Sequence, residues 1–391
     1  MTFGHSHLPH WPLDPAVTYL NHGTVGVTPL AVMAARQALL QDIERGPSQF
    51  LFRELIPWVG VPTQAVGRLR AAATAVAAAF GANGSDLVFV DNATAGVNAV
   101  LRSLPLEPGD EMLLTDVAYG AVLHAARYVA RERGAVVRTV ALPLVPYEPD
   151  AVVDSILTAL TPRTRLVLVD HIASGSAVIL PVARIVAACR DRGVRVLVDG
   201  AHVPGVLPLD LPAIGADWYT ANLHKWACAP RGSGFLWAAP EAQAGLHPPV
   251  ISWGLDLGYT QEFDWVGTRD VTPWLIAPMA LDWLRDLGVA DVWRYNHGLA
   301  CDGARFLADR WKTPFVGGAE HIGFMATVGL PERLGGDDAA AGRVRDALLV
   351  RHAIEAQVMA TGGRLWVRIS AQVYNAFADV ERLAAAVDAL P

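Results

Sequence analysis

Lys225 and Asp199 are the residues whose types and settings point most directly to chemistry. Lys225 stands in Tyr219-Thr-Ala-Asn-Leu-His-Lys-Trp226, and Asp199 closes Val194-Arg-Val-Leu-Val-Asp. An amine in an aromatic, apolar stretch is desolvated, which lowers its pKa and frees a lone pair for attack on an aldehyde. A carboxylate at a strand end, facing a pyridine nitrogen, keeps that ring protonated and ready to take up the electron pair of a carbanion. A lone strand-end Asp is more often a helix cap or an ion-pair partner. Its pairing with a downstream lysine in such a setting favours catalysis.

An amine for an aldehyde and an acid for a pyridine are the two demands of pyridoxal 5'-phosphate. The neighbouring residues fit the same ligand. His202 can contact the ring or its phenolic oxygen, although a lone His is more often structural. Asn222 and His224 can donate hydrogen bonds to a phosphate or simply pack a loop. Asn92-Ala-Thr-Ala-Gly96 lies between an expected strand and an expected helix. There the backbone N–H groups around Ala93, Thr94 and Ala95, together with the helix dipole, form an anion site, with the Thr94 hydroxyl added. Capping by Thr94 is compatible with that role. Tyr119 follows a strand and can lay its ring over a cofactor, with core packing as the alternative. Arg368, in Leu365-Trp-Val-Arg-Ile-Ser370, suits a carboxylate ligand better than an internal salt bridge. His5-Ser-His-Leu-Pro-His10 contains Pro9 and lacks partner ligands, so no metal is assigned.

These groups need a scaffold that gathers strand ends. Helical periodicity is expected near Pro29 to Arg45 and near Gln64 to Phe80, the second closed by Gly81. Apolar runs at Leu87–Val90, Glu111–Thr115, Val136–Val140, Leu166–Val169, Val194–Val198, Trp218–Ala221 and Phe235–Ala238 read as buried strands, mostly separated by helices. The alternation predicts an α/β three-layer sandwich with a mostly parallel sheet and ligands beyond the strand ends. Beyond Pro273 two long helical stretches reach about Arg310, and strands near Phe324–Val328 and Leu365–Ile369 follow, predicting a smaller α+β domain. The expected division is residues 1–20 as a segment against the small domain and the site entrance, 21–272 as the large cofactor domain and 273–391 as the small one.

Composition narrows the partners. A chain of 391 residues, 52% of them hydrophobic, exceeds the usual single-domain size. No apolar run approaches the roughly 20 residues of a membrane helix and no signal peptide is evident, so a soluble, cytoplasmic protein is expected. The net charge of −7 is spread without a basic block, which argues against nucleic acid and for small molecules. Cys189, Cys228 and Cys301 have neither metal spacing nor an even count and read as buried thiols.

The ordered set Asn21-His-Gly23, Asn92-Ala-Thr94, Asp199-Gly-Ala-His202, His224-Lys225-Trp226, Gly267-Thr-Arg-Asp270 and Arg368-Ile-Ser370 resembles fold-type I pyridoxal phosphate enzymes over essentially the whole chain. Within these it is similar to the class V aminotransferase family, and most to its isopenicillin N epimerase-like branch. The resemblance implies that Lys225 carries the cofactor as a Schiff base, Asp199 binds the pyridine nitrogen, His202 approaches the phenolic oxygen and Tyr119 stacks on the ring. It implies phosphate binding by Thr94 with its neighbouring amides, Asn222 and His224, and a homodimer in which Thr268 completes the neighbouring site. Arg368 would take the substrate carboxylate, Ser174 would lie near cofactor and substrate, and Asn21 and His22 would line the entrance. Two positions depart from the family pattern: Ser176-Ala177 stands for the usual Thr-Gly, and Asn222 for a frequent serine.

The implied reaction begins with loss of an amino-acid substrate's α-proton, with Lys225 able to act as acid and base. Proton return to the opposite face gives an epimerase or racemase, the first choice. Expulsion of a β-substituent gives a carbon–sulfur lyase, and protonation of the cofactor gives an aminotransferase. A persulfide-forming desulfurase is disfavoured because no cysteine lies between Asp302 and Pro391. A catalytically silent ligand-binding homologue is the alternative of another class, opposed by intact Lys225, Asp199 and Arg368.

Overall fold

A computed structural model describes residues 3–56 and 66–391 of the chain. Its strands in chain order are β1 (Thr18–Tyr19), β2 (Leu87–Val90), β3 (Glu111–Thr115), β4 (Val136–Val140), β5 (Thr164–Asp170), β6 (Arg195–Asp199), β7 (Trp218–Asn222), β8 (Gly234–Ala238), β9 (Met325–Gly329), β10 (Ile354–Glu355), β11 (Gln357–Thr361) and β12 (Arg364–Ser370). All seven runs expected for the large sheet are strands of it, in the order β2-β8-β7-β6-β5-β3-β4. β8 runs antiparallel to both neighbours, and the remaining pairings are parallel.

The burial of these strands explains why they are continuous apolar runs rather than alternating ones. Every residue of β2, β3, β7 and β8 is buried, which requires cover on both faces of the sheet. Only the edge strand β4 is half exposed. Covering helices include Arg68–Ala79, Ala93–Ser103, Gly120–Arg133 and Val182–Arg190. The first of these begins later than the expected Gln64, which lies outside the described residues.

Beyond the large sheet, helices Ala277–Asp286 and Val289–Trp311 lead to a small antiparallel sheet in the order β11-β12-β9. Helices Asp338–His352 and Phe377–Asp388 share its separate core with Leu20, Val328, Val367 and Leu383. The N-terminal segment joins this side of the molecule: β1 pairs in parallel with β10, Asn21 bridges to Ser370, and Gly4 N–H donates to Val373 O at 2.8 Å. A third cluster, containing Trp11, Val203, Trp226, Phe324 and Tyr374, lies where the N-terminal segment, the loops of the large sheet and the small sheet meet. Trp226 belongs to it, so the residue after Lys225 is fixed by packing. Among the described residues no helix is long and apolar enough to cross a membrane.

Candidate active site

The carboxyl ends of β5, β6 and β7 deliver Asp170, Asp199 and Asn222 to one edge of the sheet, the edge where ligands of open α/β sheets bind. A cavity of about 470 Å³ opens there. Of the residues singled out from sequence, Ala93, Thr94, Tyr119, Ser174, Asp199, His202, Asn222, His224 and Lys225 line it. Ala95, Thr268, Arg368, Asn21 and His22 do not.

Lys225 Nζ lies 3.0 Å from His202 Nε2, and Trp226 Nε1 donates to His202 Nδ1 at 3.4 Å. An indole nitrogen only donates, so Nδ1 must be the acceptor and a neutral His202 carries its proton on Nε2. That proton needs a lone pair to receive it, and the partner is the Lys225 amine in its neutral form. Burial, and then the positive charge of Arg368, lowers the Lys225 pKa to about 7. Burial, followed by the Lys225 charge, likewise holds His202 well below its ordinary value. Asp199 Oδ1 accepts the Ala201 N–H at 2.9 Å, which steadies the carboxylate in a fully buried position.

Close approaches fix this arrangement. Gly200 follows Asp199 where a Cβ would lie 2.2 Å from the Tyr219 ring and hydroxyl. Gly26 adopts φ +67°, and a Cβ there would lie 1.8 Å from His224 O. No side chain fits at either place without moving the segment that carries Lys225.

The helix start that could hold the phosphate is more committed than the sequence suggested. Asn92 caps helix Ala93–Ser103 by accepting the Ala95 N–H at 3.0 Å, and Asn222 Oδ1 accepts the Ala93 N–H at 2.8 Å. The Ala93 and Ala95 amides are therefore occupied, and the Thr94 N–H and hydroxyl remain at the cavity as donors. Asn222 retains its Nδ2 group. His224 Nδ1 donates to Ser233 O at 2.9 Å, and burial lowers its pKa to about 4. In the neutral ring Nε2 is then an acceptor, so donation to a phosphate requires the imidazolium, a form that a neighbouring dianion favours. Tyr119 is half exposed at the cavity wall, where its ring is open to a ligand.

The two residues expected at the entrance, Asn21 and His22, lie elsewhere, and Arg368 and Thr268 lie outside the cavity lining. His22 is fully buried, not at an entrance. Its Nε2 donates to Lys225 O at 3.1 Å, and its Nδ1 accepts from the Tyr374 hydroxyl at 3.0 Å, so it braces the lysine from behind. Asn21 is buried as well, donating to Glu355 at 3.0 Å and accepting from Thr24 Oγ1 at 2.5 Å. Thr24, not singled out from sequence, lines the cavity in its place. Arg368 is 2% exposed behind Thr24 and Ser174, donating to Ser174 O at 2.6 Å and Thr24 Oγ1 at 2.8 Å. Thr268 is exposed outside this cavity, while its neighbour Arg269 pairs with Asp91 at the rim and lies over the Trp274 ring. Ala177, where the family pattern has glycine, sits at φ +64°, in the left-handed region that costs a side-chain-bearing residue about 1–2 kcal/mol.

Residues 61–383 match the family described as Aminotransferase class-V. The chain belongs to that family. Its cofactor is pyridoxal 5'-phosphate. The chain is 35% identical to isopenicillin N epimerase of Streptomyces clavuligerus, covering 97% of this chain and 96% of that one. It is 30% identical to L-cysteine desulfhydrase of Arabidopsis thaliana, over 96% of this chain and 88% of that protein. Its fold is similar to a variant of C-DES with glycine covalently linked to the pyridoxal phosphate cofactor, with a TM-score of 0.80, 22% identity, and coverage of 98% and 99%.

The cavity suits this cofactor on its own terms. It offers a neutral buried amine, a fixed carboxylate, Thr94 donors at a helix N-terminus, and a buried carboxyl oxygen, Asp170 Oδ2, without a partner. The lowered Lys225 pKa has a measurable consequence in the protein stripped of cofactor. The rate of pyridoxal phosphate attachment, trapped with borohydride, is expected to rise about tenfold per pH unit up to about pH 7 and then level off. Continued rise toward pH 10 would show an ordinary, solvated lysine.

Proposed function

We propose that this enzyme is an amino-acid epimerase or racemase of the isopenicillin N epimerase-like branch. The neutral, buried Lys225 amine, 3.0 Å from His202 Nε2, carries the mechanistic reading. The 35% identity to an epimerase along almost the whole chain favours this branch. When bound, pyridoxal phosphate supplies an aldehyde for the substrate amine and a ring that stabilises the electron pair left by the α-proton. Asp199 holds the proton of the ring nitrogen. Lys225 Nζ would remove the α-proton of the bound substrate, and return of a proton to the other face would invert the centre. Arg368 anchors the substrate carboxylate, with Ser174 and Thr24 between its guanidinium and the cavity.

A carbon–sulfur lyase is the second reading, favoured by the similarity to L-cysteine desulfhydrase. It would use the same proton abstraction followed by loss of a β-substituent. Among the described residues no thiol lines the cavity, and all three cysteines are buried and free, which fits direct elimination better than persulfide transfer. Transamination would instead place the proton on the cofactor.

On this reading the division into 21–272 and 273–391 separates a cofactor domain from a small domain, and the free thiols suit a reducing cytoplasm. A homodimer would cover the exposed apolar side chains Val250, Ile251, Trp253 and Leu257, which lie on the segment leading to Thr268. Thr268 would then reach the phosphate of the neighbouring subunit.

The deciding experiment follows a panel of amino acids with the cofactor-loaded enzyme in deuterated buffer by NMR. Epimerisation predicts α-deuterium with inversion and no net breakdown. Keto acid with stoichiometric ammonia would replace this reading with the lyase, and keto acid without free ammonia with the aminotransferase.

A further inference from the structure

Asp170 was not among the residues read from the sequence, and the mechanism above gives it no task. It ends β5 directly opposite Asp199 at the end of β6, in parallel register. Adjacent strands are about 5 Å apart, so two carboxyl groups stand side by side on the cavity floor. Both are at least 96% buried and both line the cavity. Their surroundings differ. Asp199 has a bond from the Ala201 N–H at 2.9 Å. Asp170 is faced by its own backbone N–H and that of Tyr119, yet its Oδ2 is buried with no partner.

The charged groups around this pair come from three elements. Asp199 faces Asp170 from β6, and Lys225 faces it from the loop after β7. His171, the next residue in the chain, is turned away to Tyr219 Oη at 2.9 Å. The positive charge of Lys225 favours the ionised form of both aspartates, but one amine does not compensate two carboxylates buried side by side. Like-charged carboxyls in one dry site do not both ionise. Burial, and then the charge of Asp199, accordingly pushes Asp170 well above the ordinary carboxylate range.

We propose that Asp170 is a second acid of the active site, holding a proton on Oδ2 and offering it as a hydrogen bond to the bound cofactor while Asp199 alone carries the charge. The pair then presents one anion and one O–H donor to the ring. This assignment rests on pyridoxal phosphate occupying the cavity but not on the choice among epimerase, lyase and aminotransferase.

Infrared difference spectra of the loaded enzyme test it without reference to turnover. Wild type minus Asp170→Asn should show the carbonyl stretch of a protonated carboxylic acid, shifted in deuterated water. Absence of that band, or its loss in Asp199→Asn rather than Asp170→Asn, would overturn the proposal. The visible absorbance of the lysine-bound cofactor supplies a second readout. Removing a neutral group, Asp170→Asn should move the midpoint of its pH titration by less than about 0.3 unit, whereas removing a charge would lower it by about one unit or more. Asp170→Asn, which keeps a donor, should exchange substrate α-protons about tenfold faster than Asp170→Leu. Equal rates would overturn the donor role. Should the Leu variant fail to fold, Asp170→Ala replaces it in the comparison, and the infrared result stands independently.

Discussion

Lys225→Ala is expected to fold, to bind pyridoxal phosphate without any borohydride-stable attachment, and to exchange substrate α-protons about 10²–10⁴-fold more slowly. Reduction followed by peptide mass analysis reads the first effect, and deuterium incorporation reads the second. A phosphopyridoxyl group found on another lysine would overturn the assignment. The apo variant should also be no less stable than the wild type near neutral pH, which would be unusual for loss of a buried side chain. The sign follows from linkage. The unfolded lysine holds its proton up to about pH 10.5 and the folded one only below about pH 7. Between those values the unfolded chain binds the additional proton, so the lysine disfavours folding at neutrality, and the penalty shrinks as pH rises toward 10.5. Alanine removes the penalty, offsetting the packing it loses. Urea midpoints at pH 7 and pH 9.5 should therefore converge for the variant more than for the wild type.

The large sheet was legible because its strands are covered on both faces and had to be written as continuous apolar runs. β11 and β10 escaped notice for the opposite reason. β11 alternates partly buried Gln357, Met359 and Ala360 with buried Val358, and it ends beside Gly362-Gly363, a run too short and mixed to stand out from a loop. β10 has only two residues and exists because β1 pairs with it, a contact between segments more than 300 positions apart that no local pattern encodes.

The same distinction governs the site. Lys225, Asp199 and Thr94 could be placed at the cavity because their positions depend on immediate neighbours: an apolar strand, a strand end, a helix start. His22 could not be placed, because its task is set by Lys225 O and Tyr374, both remote in sequence. His224 was legible as a residue of the cavity, yet the proton on Nδ1 is decided by Ser233 O across the loop. Asp170 carried one available signal: it ends a strand just as Asp199 does. Its significance arises only when the strand order puts β5 beside β6.

Arg368 gives the last large effect, because its charge has been buried without a carboxylate. Ser174 O, Thr24 Oγ1 and Asn21 Oδ1 accept from its terminal nitrogens, while Nε is buried and unpartnered. Burial lowers even this guanidinium to about 10. An uncompensated buried cation is costly, and a site retains one where an anion arrives to neutralise it. Removing one partner of such a charged pair costs about 2–5 kcal/mol, or roughly 30- to 4,000-fold in kcat/KM for an α-amino carboxylate. Arg368→Leu should show that loss mainly in KM if the carboxylate is bound equally before and during proton transfer. Arg368→Lys should restore only part of it, since one ammonium cannot reproduce the planar fork. Decarboxylated amines separate anchoring from scaffolding. The Leu variant should handle them as well as the wild type if the arginine serves the carboxylate, and proportionally worse if it only holds Ser174 and Thr24 in place.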